Sequence, residues 1–553
     1  METDVRSVRE PGVLVVIPAR GGSKGIPRKN LRTLVGKPLI QYSIETALAS
    51  SYAPVVVVST DDDEIEVVAR RSGALVHRRS EALGGDAVTL DPVIHDALLA
   101  QEAAGAGFDV VVTVQPTSPL LRTESLDEFV RTLLSDPGLD TIISAKDATH
   151  LTWRRDGERF VPNYEKRLNR QYLPKTYSET GGFVVTRRAF VTERGRFGPS
   201  VGLHLLDAPE SIDIDGHEDW GLCAHFLRRR RLLFVVVGNR TLGLGHVYNS
   251  LVLANDLAEH EVSFLVDRDS RLGADVIAAH NYPVTVQGEA TLADEVLALG
   301  PDIVINDRLD TELDYMLALT DGGITTVNIE DLGPGAAHAH SVINALYPNA
   351  ATTAGEHVHQ GARYASLRDE FMLAEPGPAR DRVGRVLVMF GGTDPSRLTR
   401  KVVAAIEAWC ARSGIAIDVV VGPGYHDPAD LEEFEHATVR HNVKNLSEYM
   451  QAADVAFTSA GRTLFELAAM ATPAIVLAQN ERELTHTFAS EENGFLNLGL
   501  GSAVTSERIL AALERLVTDA PARRAARERL LASDVRGGRR RVIDVIERVT
   551  REV

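Results

Sequence analysis

The first residues whose types and spacing could do chemistry lie in a glycine-rich loop near the N-terminus. The apolar run Val13–Ile17 leads into Ile17-Pro-Ala-Arg-Gly-Gly-Ser-Lys-Gly-Ile-Pro-Arg-Lys-Asn30. Glycines let backbone N–H groups approach phosphate oxygens, and arginine and lysine supply positive charge. The spacing is neither that of a P-loop nor G-x-G-x-x-G, but a plain turn does not explain three glycines together with the spaced cations Arg20, Lys24 and Lys29. The loop predicts a triphosphate site formed by Ala19, Arg20, Gly21, Gly22, Ser23, Lys24, Lys29 and Asn30.

Polar residues in two later segments could complete this site. Gln115 follows the apolar run Val110–Val114, and α/β sites form at the carboxyl ends of strands. In Ser211-Ile-Asp-Ile-Asp215, one intervening residue in a strand would put Asp213 and Asp215 on one face, which suits a hard cation. A turn cap is the structural alternative for Gln115, and a solvated strand edge is the alternative for the aspartates.

A second set of glycine turns lies in the other half of the chain. Gly-x-Gly-His at 243–246 places a histidine at a helix start, where it could act as a general base or bind phosphate, although a lone histidine is more often structural. Two further turns, Gly391-Gly-Thr-Asp-Pro395 and Ser459-Ala-Gly-Arg-Thr-Leu-Phe-Glu466, precede helical segments whose amides and dipole favour a diphosphate. The predicted ligands are Gly245, His246, Gly391, Gly392, Ser459, Gly461, Thr463, Glu466 and Asn480.

The elements that must position these residues are short Val- and Ile-rich runs alternating with helical stretches. Such runs indicate strands buried on both faces of a parallel sheet, so we predict an α/β fold. We place a Rossmann-like domain at 1–230 and a two-lobed module at 231–376 and 377–553, and expect its arginine-rich C-terminal helices to have solvated surfaces. The predicted strands are 13–17, 55–59, 110–114, 141–144, 232–237, 261–266, 302–306, 325–329, 386–390, 417–421, 455–458 and 474–477.

Composition and charge narrow the function classes. Lys plus Arg number 59 and Asp plus Glu number 77, giving a net charge of −18 that disfavours general nucleic-acid binding. The two cysteines, Cys223 and Cys410, exclude a disulfide scaffold and suit a reducing compartment. No stretch approaches the roughly 20 apolar residues that span a bilayer, and Met1 to Pro11 lacks a signal-peptide apolar region. We expect a cytoplasmic enzyme without nucleic-acid or membrane partners.

The first half resembles the acylneuraminate (nonulosonic acid) cytidylyltransferase family over roughly residues 12 to 225. The loop at 17–30 carries the resemblance, with Gly36-Lys-Pro-Leu-Ile-Gln-Tyr-Ser43, Ser59-Thr-Asp-Asp62, Gln115-Pro-Thr-Ser-Pro119 and the segment 211–215. It implies transfer of CMP from CTP to a 2-keto-3-deoxy sugar acid with release of pyrophosphate, and a possible homodimer. It further implies catalytic roles for Arg20, Lys24 and Lys29, Mg²⁺ on Asp213 and Asp215, and sugar-acid binding by Gln115, Arg170 and Gln171.

One departure bears on the sugar acid. Many family members carry an Asn-Gly pair where this chain has Glu179-Thr-Gly-Gly-Phe183. The identity of the sugar acid therefore stays open, with 3-deoxy-octulosonate as the remote alternative to a nonulosonic acid.

The second half resembles the GT-B fold, and within it the UDP-sugar hydrolase of the pseudaminic acid pathway, over roughly residues 232 to 540. The motifs are the three glycine turns and Asp534-Val-Arg-Gly-Gly-Arg539. The resemblance implies that His246 helps deliver water to the anomeric carbon of a UDP-2,4-diacetamido-trideoxyhexose. That family usually has Arg soon after Gly-x-Gly-His, where this chain has Val247, Tyr248 and Asn249. The alternatives are a UDP-sugar glycosyltransferase and a non-catalytic binding module.

Overall fold

The chain divides into two compact units, Met1–Arg228 and Arg229–Val553. The computed structural model describes residues 11–22, 25–85, 88–347 and 357–552. Within these ranges, no helix combines the length and apolar character needed to cross a bilayer.

Unit 1 (Met1–Arg228) is an α/β domain built on one mixed sheet. The near-continuous Val and Ile runs are buried on both faces, as predicted: Val13, Val15 and Ile17 pack in one cluster, and Leu14 and Val16 pack in another. In chain order its elements are β1 (Val13–Pro18), β2 (Thr33–Leu34), β3 (Lys37–Pro38), α1 (Leu39–Leu48), β4 (Val55–Thr60), α2 (Asp63–Arg71), β5 (Leu75–Arg78), α3 (Leu90–Ala103), β6 (Val110–Val114), α4 (Thr123–Ser135), β7 (Thr141–Asp147), β8 (Trp153–Asp156), β9 (Arg159–Pro162), β10 (Tyr177–Arg187), β11 (Val201–Leu205) and α5 (His217–Arg228).

The strand order of this sheet indicates where a ligand would bind. Among the described residues the order is β11-β7-β10-β6-β1-β4-β5, with β10 antiparallel to both β6 and β7 and the other pairs parallel. The chain leaves β1 toward β4 and β5 and later returns to the other side at β6. The crevice beyond the carboxyl ends of β1 and β6 is therefore a topological switch point, where ligands bind in such sheets.

Unit 2 (Arg229–Val553) begins with a lobe, here called the first lobe, that has its own parallel sheet. Its order in the described residues is β14-β13-β12-β15-β16-β17-β18, so the switch point lies between β12 and β15. Its elements are β12 (Arg231–Val236), α6 (Gly245–Asp256), β13 (Glu261–Val266), α7 (Arg271–Ala279), β14 (Val284–Val286), α8 (Leu292–Leu299), β15 (Ile303–Asp307), α9 (Leu313–Asp321), β16 (Thr325–Ile329), β17 (Ser341–Asn344), β18 (Val358–Gln360) and α10 (Asp369–Leu373).

The second lobe of unit 2 repeats this arrangement. Its parallel sheet has the order β21-β20-β19-β22-β23-β24 across the described residues, with the switch point between β19 and β22. The elements are β19 (Arg385–Val388), α11 (Leu398–Ser413), β20 (Ala416–Val421), β21 (Ala437–His441), α12 (Leu446–Ala452), β22 (Val455–Thr458), α13 (Thr463–Ala469), β23 (Ala474–Ala478), β24 (Phe495–Leu500), α14 (Ser506–Thr518), α15 (Ala520–Ala532) and α16 (Gly538–Glu552).

The last helix returns to the first lobe. Val542 and Ile546 of α16 pack in the same apolar cluster as residues of β12. Arg539 is 8% exposed, and its guanidinium bonds to Asp256 of α6 and Asp369 of α10. Arg523 of α15 is likewise buried and donates to backbone carbonyls. The expectation of solvated arginines in the C-terminal helices is therefore wrong for these two, which hold the helices in place.

Candidate functional site

The glycine loop of unit 1 packs tightly against two neighbouring segments. The Gly21 N–H donates to Asp61 Oδ1 at 3.2 Å, and a Cβ on Gly21 would lie 2.4 Å from Asp62 Oδ2. A Cβ on Gly25 would lie 2.4 Å from the Asp215 carbonyl oxygen. These two glycines therefore allow close approaches that no side chain permits, whereas Gly22 faces open space. The predicted ligands Ser23 and Lys24 lie outside the described residues.

A buried arginine that the sequence prediction missed lies beside Arg20. Arg79 is 8% exposed and follows β5; its Nη2 donates to the Ser59 carbonyl, and its Nε has no hydrogen-bond partner in the described structure. Burial lowers the pKa of Arg79, Asp61 opposes this, and the nearby charge of Arg20 lowers it further. The Arg20 carbonyl accepts from Asn30 Nδ2 at 3.1 Å. The sequence feature that could have identified Arg79 as a site residue is its position directly after the segment that forms β5.

Ile214 anchors the acidic segment against this loop. Its N–H donates to the Thr117 carbonyl at 2.9 Å, its carbonyl accepts from Lys29 Nζ, and its side chain is fully buried beside Ile26. Both backbone polar groups and the side chain of Ile214 are thus fixed. An ammonium has three N–H donors, and Lys29 uses one of them here.

The Asp213 carboxylate lies against Gln115 and a bulge in β10. A Cβ on Gly181 would lie 2.7 Å from Asp213 Oδ2 and 3.3 Å from Gln115 Cδ, so both side chains converge on this glycine. The register of β10 with β7 shifts between Glu179 and Val184, and the bulge is held by Ser144 Oγ, which accepts from the Phe183 N–H at 2.9 Å. Gly181, one of the two glycines of the departure from the family pattern, thus makes room for the Asp213 carboxylate.

The aspartate pair differs from its prediction in backbone structure. The segment 211–216 is not a β-strand; it is an extended loop in which Ile214 is buried, Asp213 half-buried and Asp215 exposed. Asp213 Oδ1 is buried and has no hydrogen-bond partner in the described structure, which fits a carboxylate that would accept a cation. The described residues hold no cluster of three acidic, histidine or cysteine ligands, so a hexacoordinate Mg²⁺ would need substrate or water oxygens as well.

Arg170 and Gln171 lie in a separate segment of unit 1. They form a short 3₁₀ turn at 170–172, between the β8–β9 hairpin and β10, and both are exposed. Among the described residues, neither side chain contacts the glycine loop, Gln115 or Asp213 through a hydrogen bond or ion pair. Their assignment to the sugar acid stays a prediction.

In unit 2, His246 forms a buried dyad with an aspartate that the sequence prediction missed. His246 Nδ1 lies 2.6 Å from Asp307 Oδ1, and Asn249 Nδ2 donates to Asp307 Oδ2 at 2.6 Å. Because an ionised carboxylate only accepts, the proton between them belongs to His246 Nδ1, and Nε2 is the ring nitrogen left to face a ligand. Asp307 ends β15 and His246 begins α6 after β12, so the switch point brings them together. A position at the end of a predicted strand was the signal for Asp307.

The charge state of Asp307 follows from these partners. Asp307 is fully buried, and burial alone raises its pKa. His246, and then Arg462 and Asn249, favour the ionised form more strongly, so the pKa of Asp307 lies below its ordinary value.

The turn after β19 lies beside the His246 loop, but its helix end is already capped. A Cβ on Gly243 would lie 3.5 Å from Thr393 Oγ1, and one on Gly392 would lie 3.7 Å from Leu244 Cβ. The Asp394 carboxylate accepts from the Leu398 and Thr399 N–H groups of α11 at 2.9 and 2.8 Å. These two α11 amides are therefore already occupied, and the assignment of Gly391 and Gly392 to a diphosphate stays a prediction.

The remaining predicted ligands lie after β22 and, for Asn480, after β23. Burial raises the pKa of Glu466, whose Oε1 accepts from Arg368 Nε at 2.9 Å, so it is paired and not an exposed helix residue. Ser459 is buried and Asn480 is exposed. Asn480 Oδ1 accepts from the Glu483 N–H at 3.1 Å, and Glu483 in turn accepts from the Ala460 N–H. Asn480 is thereby linked to the Ser459–Gly461 turn.

Comparison with known proteins identifies relatives of the first unit. The family described as Cytidylyltransferase matches residues 14–153. The CMP-N,N'-diacetyllegionaminic acid synthase of Legionella pneumophila is 34% identical over 223 residues, covering 38% of this chain and 94% of that protein. The N-acylneuraminate cytidylyltransferase of Oncorhynchus mykiss is 34% identical over 216 residues, covering 38% of this chain and 48% of that protein. The chain thus spans about half the length of the fish relative.

Among solved structures, Acinetobacter baumannii MurG is similar to a larger part of the chain. The similarity covers 58% of this chain and 99% of MurG, at 16% identity and a TM-score of 0.42.

Replacing Asp307 by Asn tests the buried dyad through stability. A carboxyl with a depressed native pKa stabilises above its unfolded pKa of about 3.9, and this contribution is lost as pH falls through the native pKa. We expect Asp307→Asn to lower the free energy of unfolding at pH 7 by about 2–4 kcal/mol. Urea unfolding of unit 2 between pH 7 and 3 should show this difference shrinking at acid pH. Exposed Asp314→Asn is the matched control, and a deficit independent of pH would contradict the ionised dyad.

Proposed function

The chain belongs to the cytidylyltransferase family, and we propose that unit 1 transfers CMP from CTP to a sialic-acid-like 2-keto-3-deoxy sugar acid. In this reaction the anomeric hydroxyl oxygen attacks the α-phosphorus of CTP, and the bond from that phosphorus to the oxygen that bridges the α- and β-phosphates breaks. Pyrophosphate leaves, and the hydroxyl loses its proton to solvent. The observation that carries the proposal is the anchored Ile214, which ties the acidic segment to the glycine loop and leaves the Asp213 carboxylate beside Gln115 and Gly181.

The residues of unit 1 would act by positioning and charge. Arg20, Lys24 and Lys29 would bind the triphosphate, with Arg79 adding a further buried cation beside Arg20. Asp213 and Asp215 would hold Mg²⁺, supported by the unpartnered Asp213 Oδ1. When bound, Mg²⁺ would neutralise charge on the phosphate oxygens. The loop amides and cations hold the α-phosphate in line for attack, which supplies most of the catalysis such a transfer needs.

The sugar acid is proposed from the relatives and from Gly181. The names of the two relatives specify a diacetyllegionaminic acid product and an N-acylneuraminate substrate. A nonulosonic acid is accordingly the proposed acceptor, bound next to Gln115, Arg170 and Gln171. A Cβ on Gly181 would already lie 2.7 Å from Asp213 Oδ2, so an asparagine side chain does not fit at this position while Asp213 and Gln115 converge on it. The same proposal includes CTP as the nucleotide substrate, a cytoplasmic location and assembly as a homodimer.

For unit 2 we propose hydrolysis of a UDP-2,4-diacetamido-trideoxyhexose by the His246–Asp307 dyad. His246 Nε2 would take a proton from water as its oxygen attacks the anomeric carbon, and the bond from that carbon to the UDP oxygen breaks. Asp307 holds the Nδ1 proton and stabilises the imidazolium. Support comes from two GT-B-like lobes with facing glycine turns. The second candidate function is transfer of the sugar from UDP to an acceptor hydroxyl, for which the same dyad would act as the base. A non-catalytic binding module would give the dyad no role.

Asp213→Asn tests the reaction of unit 1. Losing a carboxylate ligand should lower the rate of pyrophosphate release by roughly 100-fold and raise the Mg²⁺ concentration needed for half activity. The assay uses CTP with legionaminic, pseudaminic, N-acetylneuraminic or 3-deoxy-octulosonic acid. Exposed Asp156→Asn should match wild type. Wild-type protein that binds CTP but releases no pyrophosphate with any of these acids would contradict the proposal.

Gly181→Ala tests the close approach of Asp213 and Gln115. The added Cβ would displace the Asp213 carboxylate, and a misplacement of about 1 Å can cost roughly 100-fold in rate. We expect a fall of that order in kcat/KM for CMP transfer, with CTP affinity less affected. Gly195→Ala, whose Cβ meets no described atom within 4 Å, is the matched control. Equal activity of both variants would show that the space at Gly181 does not matter.

His246→Gln tests the role of unit 2. Loss of the general base should reduce UDP release from the UDP-sugar by about 100-fold or more and leave CMP transfer unchanged. Exposed His280→Gln is the control. Product analysis with and without an added sugar acceptor separates hydrolysis from transfer, and wild-type protein that releases no UDP in either assay would leave only the binding-module alternative.

A further inference from the structure

Arg462 is a cation in the cleft of unit 2 whose side chain donates no hydrogen bond within the described residues. It lies in the turn between β22 and α13, and 17% of its side chain is exposed. Its Nη2 is buried and has no hydrogen-bond partner in the described structure. The neighbouring arginines use their Nη or Nε donors more fully: Arg482 donates both Nη groups to Asp310 and to the Glu330 carbonyl and leaves only its Nε without a partner in the described structure, and Arg368 donates to Glu466.

The counter-ion of Arg462 is held by other groups. Glu330 follows β16 with φ +56°, a strained value for a non-glycine residue, and is fully buried. Its carboxylate accepts from the Ala345 N–H at 3.1 Å and from the Leu346 N–H at 3.0 Å. Arg462 Nη2 lies 3.5 Å from Glu330 Oε1, close enough for an ion pair and without a hydrogen bond. Glu330 therefore attracts the Arg462 guanidinium while leaving its donors available.

Arg462 is also close to the His246–Asp307 dyad. Its charge is one of the causes that lower the pKa of Asp307, which places the guanidinium near the carboxylate that orients His246. A preorganised cation in the same cleft can stabilise charge that develops on a leaving phosphate.

The alternative anion-binding groups in this lobe are limited. The α11 amides of Leu398 and Thr399 are occupied by Asp394. Helix α13 spans only seven residues, Thr463–Ala469, so its dipole is small. The second lobe therefore offers a diphosphate few free helix amides, which favours a side-chain cation as its phosphate ligand in this lobe.

We propose that Arg462 binds the diphosphate of the nucleotide sugar and stabilises the negative charge on the departing UDP, with Glu330 as its resting partner. The phosphate oxygens take the Nη donors that Glu330 leaves unused. This inference rests on the proposed function of unit 2 and adds the residue that recognises the phosphates.

The test is the ratio of UDP affinity to uridine affinity, measured by calorimetric titration of the full chain. A charge-assisted contact to phosphate corresponds to about 10- to 100-fold in affinity. Arg462→Met should weaken UDP binding by that factor and leave uridine binding within about two-fold, because uridine lacks phosphates. Arg462→Lys should recover part of the loss, since it keeps the charge without the planar donors. UDP release from the UDP-sugar should fall in parallel.

Two controls separate this role from a structural ion pair between the lobes. Glu330→Gln removes the counter-ion and should preserve or raise UDP affinity, whereas a purely structural pair predicts equal losses for Glu330→Gln and Arg462→Met. Arg482→Met should lower the unfolding temperature without changing the UDP-to-uridine ratio. Folded Arg462→Met protein with a wild-type ratio would overturn the inference alone. Wild-type protein that binds neither UDP nor uridine would overturn the proposed function of unit 2, and the inference with it.

Discussion

The candidate site of unit 1 depends on the immobilisation of one apolar residue, Ile214. Its N–H is bound by the loop that follows β6, its carbonyl by Lys29 of the loop that follows β1, and its side chain by a small apolar cluster. The acidic residues on either side have no regular strand to orient them, so their positions derive from this anchored neighbour. Lys29 consequently has two roles, because the same ammonium that can face phosphate also fixes the acidic segment. Glycines at 25 and 181 complete the arrangement by leaving space for the Asp215 backbone and the Asp213 carboxylate.

In unit 2 the candidate base is positioned by a buried carboxylate, not by an anchored backbone segment. A fully buried carboxylate is costly unless several donors satisfy it, and Asp307 receives donors from His246, Asn249 and Ser250 of one helix. The helix that carries the general base is thereby held to the end of β15. Across the cleft, a strained and buried glutamate faces an arginine of the other lobe without a hydrogen bond. Both carboxylate oxygens of Asp307 thus have hydrogen-bond partners, whereas the Arg462 guanidinium, within the described residues, has only its ion pair with Glu330.

Much of this organisation could be predicted from the sequence. The twelve predicted strands are all present, and each glycine turn follows a strand at a switch point, because buried apolar runs and their ends are local signals. Asp307, Arg79 and Arg462 were missed as site residues, since a lone charged residue at a strand end or in a turn has no motif around it. The antiparallel β10 and its bulge depend on pairing with β6 and β7, which are distant in sequence. The capping of α11 by Asp394, a residue inside the glycine motif itself, was also not foreseen, because the motif shows a turn without showing which side chain folds back onto the helix.

The return of α16 to the first lobe determines when that lobe can be completed during synthesis. Its opening strand β12 and closing helix α16 share one apolar cluster, and Arg539 of α16 is bonded to Asp256 of α6. The whole second lobe is therefore inserted between the two ends of the first. On a ribosome, the second lobe has all its strands before the helix that seals the first lobe has emerged. Completion of the lobe that carries the histidine consequently requires contacts between β12 and α16, which are distant in sequence, and contacts of this kind form slowly.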